Sequence, residues 1–171
     1  MVIRDSQPSD IEAIMECIAD AQALLAELGV DQWQDGYPTD EIIRQDIARG
    51  ESFVLEQGGR VVATAVISLA GEPTYSTLEG GCWLNDEAYV VIHRLAARAD
   101  ARGGVAKRFF AFAEALANEH SVLSIRVDTH TDNKIMLHLL SALNYTHCGT
   151  ITLTSGAKRV AFQKVWQTTK I

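Results

Sequence analysis

A glycine pair within a basic stretch is the feature of this chain with the clearest chemistry. The turn Arg102-Gly103-Gly104-Val105-Ala106 lies between a β-forming run that ends at Ala97 and a predicted helix. A helix N-terminus presents unpaired backbone N–H groups and the positive end of its dipole, and glycines let a phosphate approach without a Cβ in the way. Basic side chains surround a single acid, Asp100: Arg94, Arg98, Arg102, Lys107 and Arg108. The pattern predicts a pyrophosphate site, although a plain strand-to-helix turn fits two glycines equally well.

An aromatic loop is a second candidate site. Trp33 and Tyr37 lie in the loop 32–38, and flat, partly polar rings suit an organic amine. Acidic residues close by in the sequence favour a cationic ligand: Asp35, Glu41 and Asp46. The alternative is that the two rings only fix a long loop to the core.

Hydrophobic periodicity predicts the elements that position these residues. A strand at 2–4 precedes a helix that a capping box of Ser9 and Glu12 starts and Gly29 ends. A helix, a hairpin, a central strand, a helix, a strand, a helix and two strands follow, at 40–50, 52–69, 89–97, 105–116, 123–127, 136–143, 145–153 and 159–166. This order predicts an α/β fold, with a mixed central sheet of six to seven strands and about four flanking helices, in a single domain over residues 1–171.

Composition limits the class of protein. The chain has 171 residues and a formal net charge of -7, which argues against a nucleic-acid partner because the phosphate backbone requires a basic face. The N-terminus lacks the layout of a signal peptide, and the longest apolar run is too short for a bilayer. The three cysteines are widely separated, which predicts neither a disulfide framework nor a zinc site. We therefore expect a cytoplasmic protein without a membrane partner or a metal.

Two runs of the sequence resemble the GNAT acetyltransferases. The run 92–97 followed by 102–106 is similar to motif A of that family, which holds the coenzyme A pyrophosphate. The run 125–136, which contains Asp128-Thr129-His130-Thr131-Asp132-Asn133, is similar to motif B of one bacterial group. The loop 32–38 and the run 145–149 also resemble that group, so the similarity covers almost the full chain.

The resemblance implies acetyl-CoA as cosubstrate and assigns residues to it. It places pantetheine along Leu95, Ala96 and Ala97, and pyrophosphate contacts at Arg102, Gly103, Gly104, Val105, Ala106 and Lys107, with a further contact at Asn133. A backbone N–H near Ala96 or Ala97 is expected to polarise the thioester carbonyl. His93 titrates near neutrality and could relay the proton of the amine, whereas a hydrogen-bonded core histidine is the alternative.

The sequence departs from the family pattern at two places. Ala101 stands where Gln or Arg is expected, so Arg102 sits one position late. Many family members carry a proton-donating Tyr seven residues beyond the motif B Asn, but here that position is Leu140. Tyr145 could replace this acid, or it could simply pack against the preceding helix. Cys148 has no activating base that the sequence reveals, so direct attack by the amine is expected.

Together these observations predict an N-acetyltransferase that moves an acetyl group from acetyl-CoA to the primary amine of a small molecule. We expect a monomer or a homodimer. Two alternatives remain open from the sequence: acetylation of a protein or peptide, and a non-catalytic acyl-CoA-binding module.

Overall fold

The computed structural model describes residues 1–101 and 103–167, and within them seven strands and four α-helices follow one another. The helices are α1 (Ile11–Glu27), α2 (Asp40–Ala48), α3 (Val105–Glu119) and α4 (Lys134–Ala142). The strands are β1 (Val2–Asp5), β2 (Ser52–Gln57), β3 (Arg60–Ser68), β4 (Val90–Ala97), β5 (Ser124–Thr129), β6 (Thr146–Thr152) and β7 (Lys158–Val165). They form one mixed sheet in the order β1-β2-β3-β4-β5-β7-β6, with β4 and β5 parallel. The predicted α/β fold is confirmed.

The chain forms two compact units whose boundaries fall inside β3, β4 and α3. Unit 1 comprises Met1–Ile67 and Ile92–Phe112, and unit 2 comprises Ser68–Val91 and the chain from Ala113 onward. The single-domain organisation of residues 1–171 stays a prediction.

The core of unit 1 follows from the spacing of apolar residues in α1. Ile14, Cys17 and Ile18 recur at intervals of three and one, lie on one face of the helix and are fully buried. They pack with residues of α2, β2 and β4 in one cluster, which includes Ile43 and Ala96. Ala96 therefore points its side chain into the core, and only its backbone remains for other roles.

The predicted capping box of Ser9 and Glu12 is wrong by two residues, although α1 begins at Ile11, close to the predicted start. The capping box is formed by Gln7 and Asp10, and the Gln7 N–H donates to Asp10 Oδ2 at 2.7 Å, whereas α1 itself has no side-chain cap. Pro8 is compatible with the first turn of a helix, so a short 3-10 helix at Pro8–Asp10 precedes α1. The predicted end at Gly29 is confirmed, since this residue has φ +69° directly after α1.

In unit 2, a segment before β4 contacts the outer strand β6. Glu79 and Thr150 form an isolated antiparallel bridge, with N–H···O distances of 3.0 and 2.9 Å. A Cβ on Gly81 would lie 2.1 Å from the Cys148 carbonyl oxygen, and one on Gly149 would lie 2.6 Å from the Glu79 carbonyl oxygen. Both positions therefore require a residue without a side chain.

The described ranges contain four α-helices and three short 3-10 helices. None of the helices there has the length and apolar composition that crossing a membrane requires. In the same ranges, no three His, Cys, Asp or Glu side chains come together as a set of metal ligands.

Candidate active site

The glycine turn of unit 1 leads directly into α3. Gly104 adopts φ +75°, and a Cβ built on Gly103 or Gly104 would meet no atom within 4 Å. Val105 is buried and anchors the first turn of the helix. The Arg108 N–H donates to the Gly104 carbonyl at 3.3 Å, so the N–H groups of residues 105–107 precede this first helical hydrogen bond. The turn is thus an open cradle beneath a helix N-terminus, as predicted. Arg102 lies outside the described residues.

The predicted basic cluster does not converge on this turn. Arg98 pairs instead with Glu16 and with Asp20 of α1, and Arg94 pairs with Asp46 of α2. Lys107 and Arg108 are exposed at the start of α3. These two side chains therefore carry the positive charge next to the turn.

The one acid of the basic stretch is also paired. Asp100 accepts a hydrogen bond from Arg60 of β3 at 2.8 Å, and this contact lowers the pKa of the carboxyl. Its negative charge is therefore countered at the side of the turn, which reduces repulsion of an anionic ligand.

An irregularity of β4 lies just before the three residues assigned to pantetheine. Arg94 has φ +49°, a conformation that costs non-glycine residues about 1–3 kcal/mol. Its guanidinium donates to both oxygens of Asp46, at 2.8 and 2.7 Å, and to the Tyr37 hydroxyl at 2.5 Å. Burial works against the charge of Arg94, but the hydrogen bond to Asp46 and the nearby oxygens of Tyr37 and Asp46 raise its pKa above the ordinary value. The contacts hold β4, α2 and the aromatic loop together beside the half-buried His93.

The two aromatic residues of the loop have different surroundings. Trp33 is partly buried and packs against the core of unit 1, which supports the anchoring alternative for this ring. The Tyr37 hydroxyl accepts from Arg94, and the Tyr37 backbone carbonyl accepts from Gln22 Nε2 at 2.9 Å. The structure thus brings Tyr37, and not Trp33, into contact with the irregular part of β4 within the described residues.

The candidate acid and the candidate nucleophile of unit 2, Tyr145 and Cys148, are both buried. Leu140 is fully buried, and Tyr145 is 6% exposed. Burial, and to a smaller extent Glu114, raise the pKa of Tyr145 well above its ordinary value, so the phenol keeps its proton. The Asn133 side chain caps α4 by accepting from the Met136 N–H at 3.1 Å. Burial also raises the pKa of the Cys148 thiol, which disfavours a nucleophilic thiolate.

Sequence reasoning missed a pocket that lies entirely within unit 2. It has a volume of about 560 Å³ and is lined on one side by Arg126 of β5, with Trp83 and Tyr89. The only signal in the sequence was the concentration of aromatic residues in the stretch 69–89, which showed no periodicity.

Comparison with known proteins identifies the family. The model of the Acetyltransferase (GNAT) family matches residues 18–145. A GNAT-family acetyltransferase from Streptococcus agalactiae is 34% identical, with 97% of this chain and 95% of that chain covered and a TM-score of 0.85. None of the curated proteins compared with the sequence matches it.

Two more distant structures share the fold. A GNAT-family acetyltransferase from Listeria monocytogenes is 24% identical over 96% of this chain and 94% of that chain, with a TM-score of 0.74. A protein from Salmonella typhimurium, solved with its cofactor acetyl-CoA, is 14% identical over 100% of this chain and 96% of that chain, with a TM-score of 0.64. At these identities, the likeness concerns the fold alone.

The chain therefore belongs to the GNAT acetyltransferase family, and it is an acyltransferase that uses acetyl-CoA. This confirms the predicted enzyme class and favours an enzyme over a non-catalytic binding module. The finer resemblance of the loop 32–38 and of the run 128–133 to one bacterial group stays a prediction.

Proposed function

We propose that this enzyme acetylates the primary amine of a small molecule by direct attack on acetyl-CoA, with the pyrophosphate bound at the Gly103–Gly104 turn. The observation that carries the proposal is the open turn at the start of α3, where a Cβ on either glycine would meet nothing within 4 Å. An anion in this space faces the N–H groups of Val105, Ala106 and Lys107 and the positive end of the helix dipole. The exposed Lys107 and Arg108 add charge at the same place.

The thioester is assigned to the end of β4. Acetyl-CoA supplies an acyl group bound to a thiolate leaving group. Leu95 and Ala97 are half-buried, and the Ala96 side chain is in the core. This end of β4 therefore presents mainly backbone groups to a ligand. A backbone N–H at Ala96 or Ala97 then donates to the carbonyl oxygen as negative charge develops on it.

The proposed acetyl transfer needs no covalent intermediate on the enzyme, since the bonds and protons balance in a single transfer. The neutral amine forms the new C–N bond, the C–S bond breaks, the amine loses one proton and the thiolate gains one. His93 is proposed to take the amine proton, and water is proposed to protonate the thiolate, since a thiol has a reference pKa of about 8.5. The buried Tyr145 is a poor donor for this step, because its raised pKa opposes loss of the proton.

The acceptor is proposed to bind beside Tyr37. The Tyr37 hydroxyl accepts from Arg94 at 2.5 Å, the Tyr37 carbonyl accepts from Gln22 Nε2, and Gln34 Nε2 donates to the Gln22 carbonyl, so these bonds tie the loop to α1 and β4. A rigid aromatic surface of this kind suits a small organic amine. Acetylation of a peptide or protein is the second candidate, and the sequence prediction of a cytoplasmic monomer or homodimer applies to both.

A screen for thiol release from acetyl-CoA tests the proposal. The purified enzyme is mixed with a panel of small primary amines and, separately, with peptides that carry a free α-amino group or a lysine. We expect turnover with small amines, and we expect Tyr37→Phe to raise KM for the best amine with less effect on KM for acetyl-CoA. Turnover confined to peptides would replace the small-molecule proposal with the second candidate.

A further inference from the structure

The pocket of unit 2 contains a buried cation that makes no ion pair with a carboxylate of the described residues. Arg126 is 5% exposed and lies in the middle of β5, which pairs with β4 at Val91 and with β7 at Gln163. Its Nη2 donates to the Asn85 carbonyl at 2.6 Å. Over residues 1–101 and 103–167, the buried Nε has no hydrogen-bond acceptor, and no carboxylate lies within 4 Å of the guanidinium. An unpaired buried donor on a charged group is costly, so this side chain calls for an explanation.

Two aromatic rings hold the guanidinium in place. Its central carbon lies 4.2 Å from the ring centroid of Trp83 and 3.9 Å from that of Tyr89. The Trp83 indole N–H donates to the Tyr75 carbonyl at 3.2 Å, which fixes that ring in turn. Such contacts use the faces of the guanidinium, whereas its N–H donors lie in its plane. The two rings therefore hold the guanidinium at the wall of the pocket, and a planar carboxylate is the anion that matches a guanidinium.

The same pocket also offers negative charge and apolar surface. Glu72 and Asp86 both line it, and Asp86 is exposed. Glu72 Oε1 already accepts from the Thr74 N–H and hydroxyl, at 3.0 and 2.8 Å, which leaves Asp86 as the more available partner for a cation. Trp83 and Tyr89, which are half-buried, supply ring surface at the same pocket. A volume of about 560 Å³ suits a small organic molecule.

We propose that this space, the Arg126 pocket, is a binding site for a small amino carboxylate with an apolar side chain. The carboxylate bonds to Arg126, the ammonium group faces Asp86, and the apolar part packs against the rings. The site is distinct from the glycine turn of unit 1, and its occupation requires neither acetyl-CoA nor turnover.

Calorimetric binding to the intact protein, without acetyl-CoA, tests the pocket separately from the proposed acetyl transfer. Four probes share a phenethyl group: L-phenylalanine, phenylalaninamide, 3-phenylpropionate and phenethylamine. We expect L-phenylalanine to bind most tightly and 3-phenylpropionate to bind at least about tenfold more tightly than phenethylamine, because a charge-assisted hydrogen bond favours the carboxylate. Phenethylamine binding as tightly as 3-phenylpropionate, or no binding of any probe at about 10 mM, would overturn the proposal.

Two variants locate the binding groups. Arg126→Gln is expected to weaken L-phenylalanine binding by about tenfold or more and to leave phenethylamine unchanged. Asp86→Asn, at an exposed position that should not disturb folding, is expected to reduce the difference in affinity between L-phenylalanine and 3-phenylpropionate. Unchanged L-phenylalanine affinity in a folded Arg126→Gln protein would refute the carboxylate contact. If Arg126→Gln does not fold, an unchanged affinity difference between these two probes in Asp86→Asn refutes the proposed contact of the ammonium group with Asp86.

Discussion

Arg94 and Asp46 form a two-point ion pair, with N–H···O distances of 2.8 and 2.7 Å, that ties the irregular backbone of β4 to α2. The Asp46 side chain is 1% exposed and that of Arg94 is 15% exposed. Removing one partner of such a pair leaves the other charge buried and uncompensated, which is more damaging than losing a surface contact.

Asp46→Ala is therefore expected to lower the free energy of unfolding by about 3 kcal/mol or more. Urea unfolding at neutral pH measures the change. The matched control is Asp40→Ala, six residues earlier in α2, whose pair with Arg44 is exposed on both sides at 3.5 Å. That control should lose less than about 0.5 kcal/mol. Similar losses in the two variants would show that the buried pair contributes little.

The backbone conformation of Arg94 gives a second prediction: at this position inside a strand, glycine should give a more stable protein than alanine. At φ +49° a Cβ is strained, so Arg94→Gly should be more stable than Arg94→Ala by about 1 kcal/mol. Because both variants lose the same ion pair, the difference in their stability measures the effect of the backbone conformation. At Arg60, at the start of β3, the usual order with alanine above glycine should hold. The same order at both positions would contradict the strained conformation.

The glycine turn predicts a loss of acetyl-CoA binding without loss of fold. Gly103 lies outside the left-handed region and has open space around it, so Gly103→Val adds a side chain to the cradle without backbone strain. We expect the Kd for acetyl-CoA to rise about tenfold or more, with an unchanged melting temperature. Unchanged affinity in the folded variant would remove the pyrophosphate from this turn.

A matched pair of glycines separates strain from binding. Gly104 and Gly50 have φ +75° and +70°, and neither would place a Cβ within 4 Å of another atom. Alanine at either position should cost stability by about 1 kcal/mol. Only Gly104→Ala should also weaken acetyl-CoA binding.

Thiol reactivity follows from burial and pKa. Cys82 is exposed, whereas Cys17 and Cys148 are buried, and burial raises the pKa of Cys17 to about 11. A thiol reagent should modify Cys82 first in the folded protein, as peptide mapping would show. Cys148→Ala should keep most of the acetyl-transfer rate. Acetylated Cys148, found by mass spectrometry after incubation with acetyl-CoA alone, would disprove direct attack.

Tyr145→Phe is expected to lower kcat by less than about tenfold, because the phenol is buried and holds its proton tightly. Steady-state kinetics with the best amine measures the effect, and a melting curve excludes unfolding. A loss beyond about a hundredfold at unchanged stability would identify Tyr145 as the proton donor after all.

Local sequence patterns predicted the elements well, but they did not predict the partners of the charges. The spacing in α1 reports burial on one face, which is a local property, whereas β5 is buried along almost its whole length despite its alternating sequence. Arg94 finds Asp46 at a separation of 48 residues, and Arg98 finds Glu16 at 82, so neither pair is visible in a window of the sequence. Of the four described cations of the basic cluster, Arg94 and Arg98 are therefore in ion pairs, and Lys107 and Arg108 are exposed. Arg126 was hidden for the same reason, since its aromatic partners come from the stretch before β4.

The contact between Glu79 and Thr150 has a consequence for self-association. β6 is the last strand of the sheet, and an uncovered outer strand offers unpaired backbone groups to other molecules. The bridge at Thr150 occupies part of that edge, and the absence of side chains at Gly81 and Gly149 is what lets the two backbones meet. A larger residue at either glycine would lift the covering segment and leave the edge free to recruit strands from neighbouring copies. We therefore expect a larger residue at either glycine to increase aggregation, an effect that a catalytic assay would not measure.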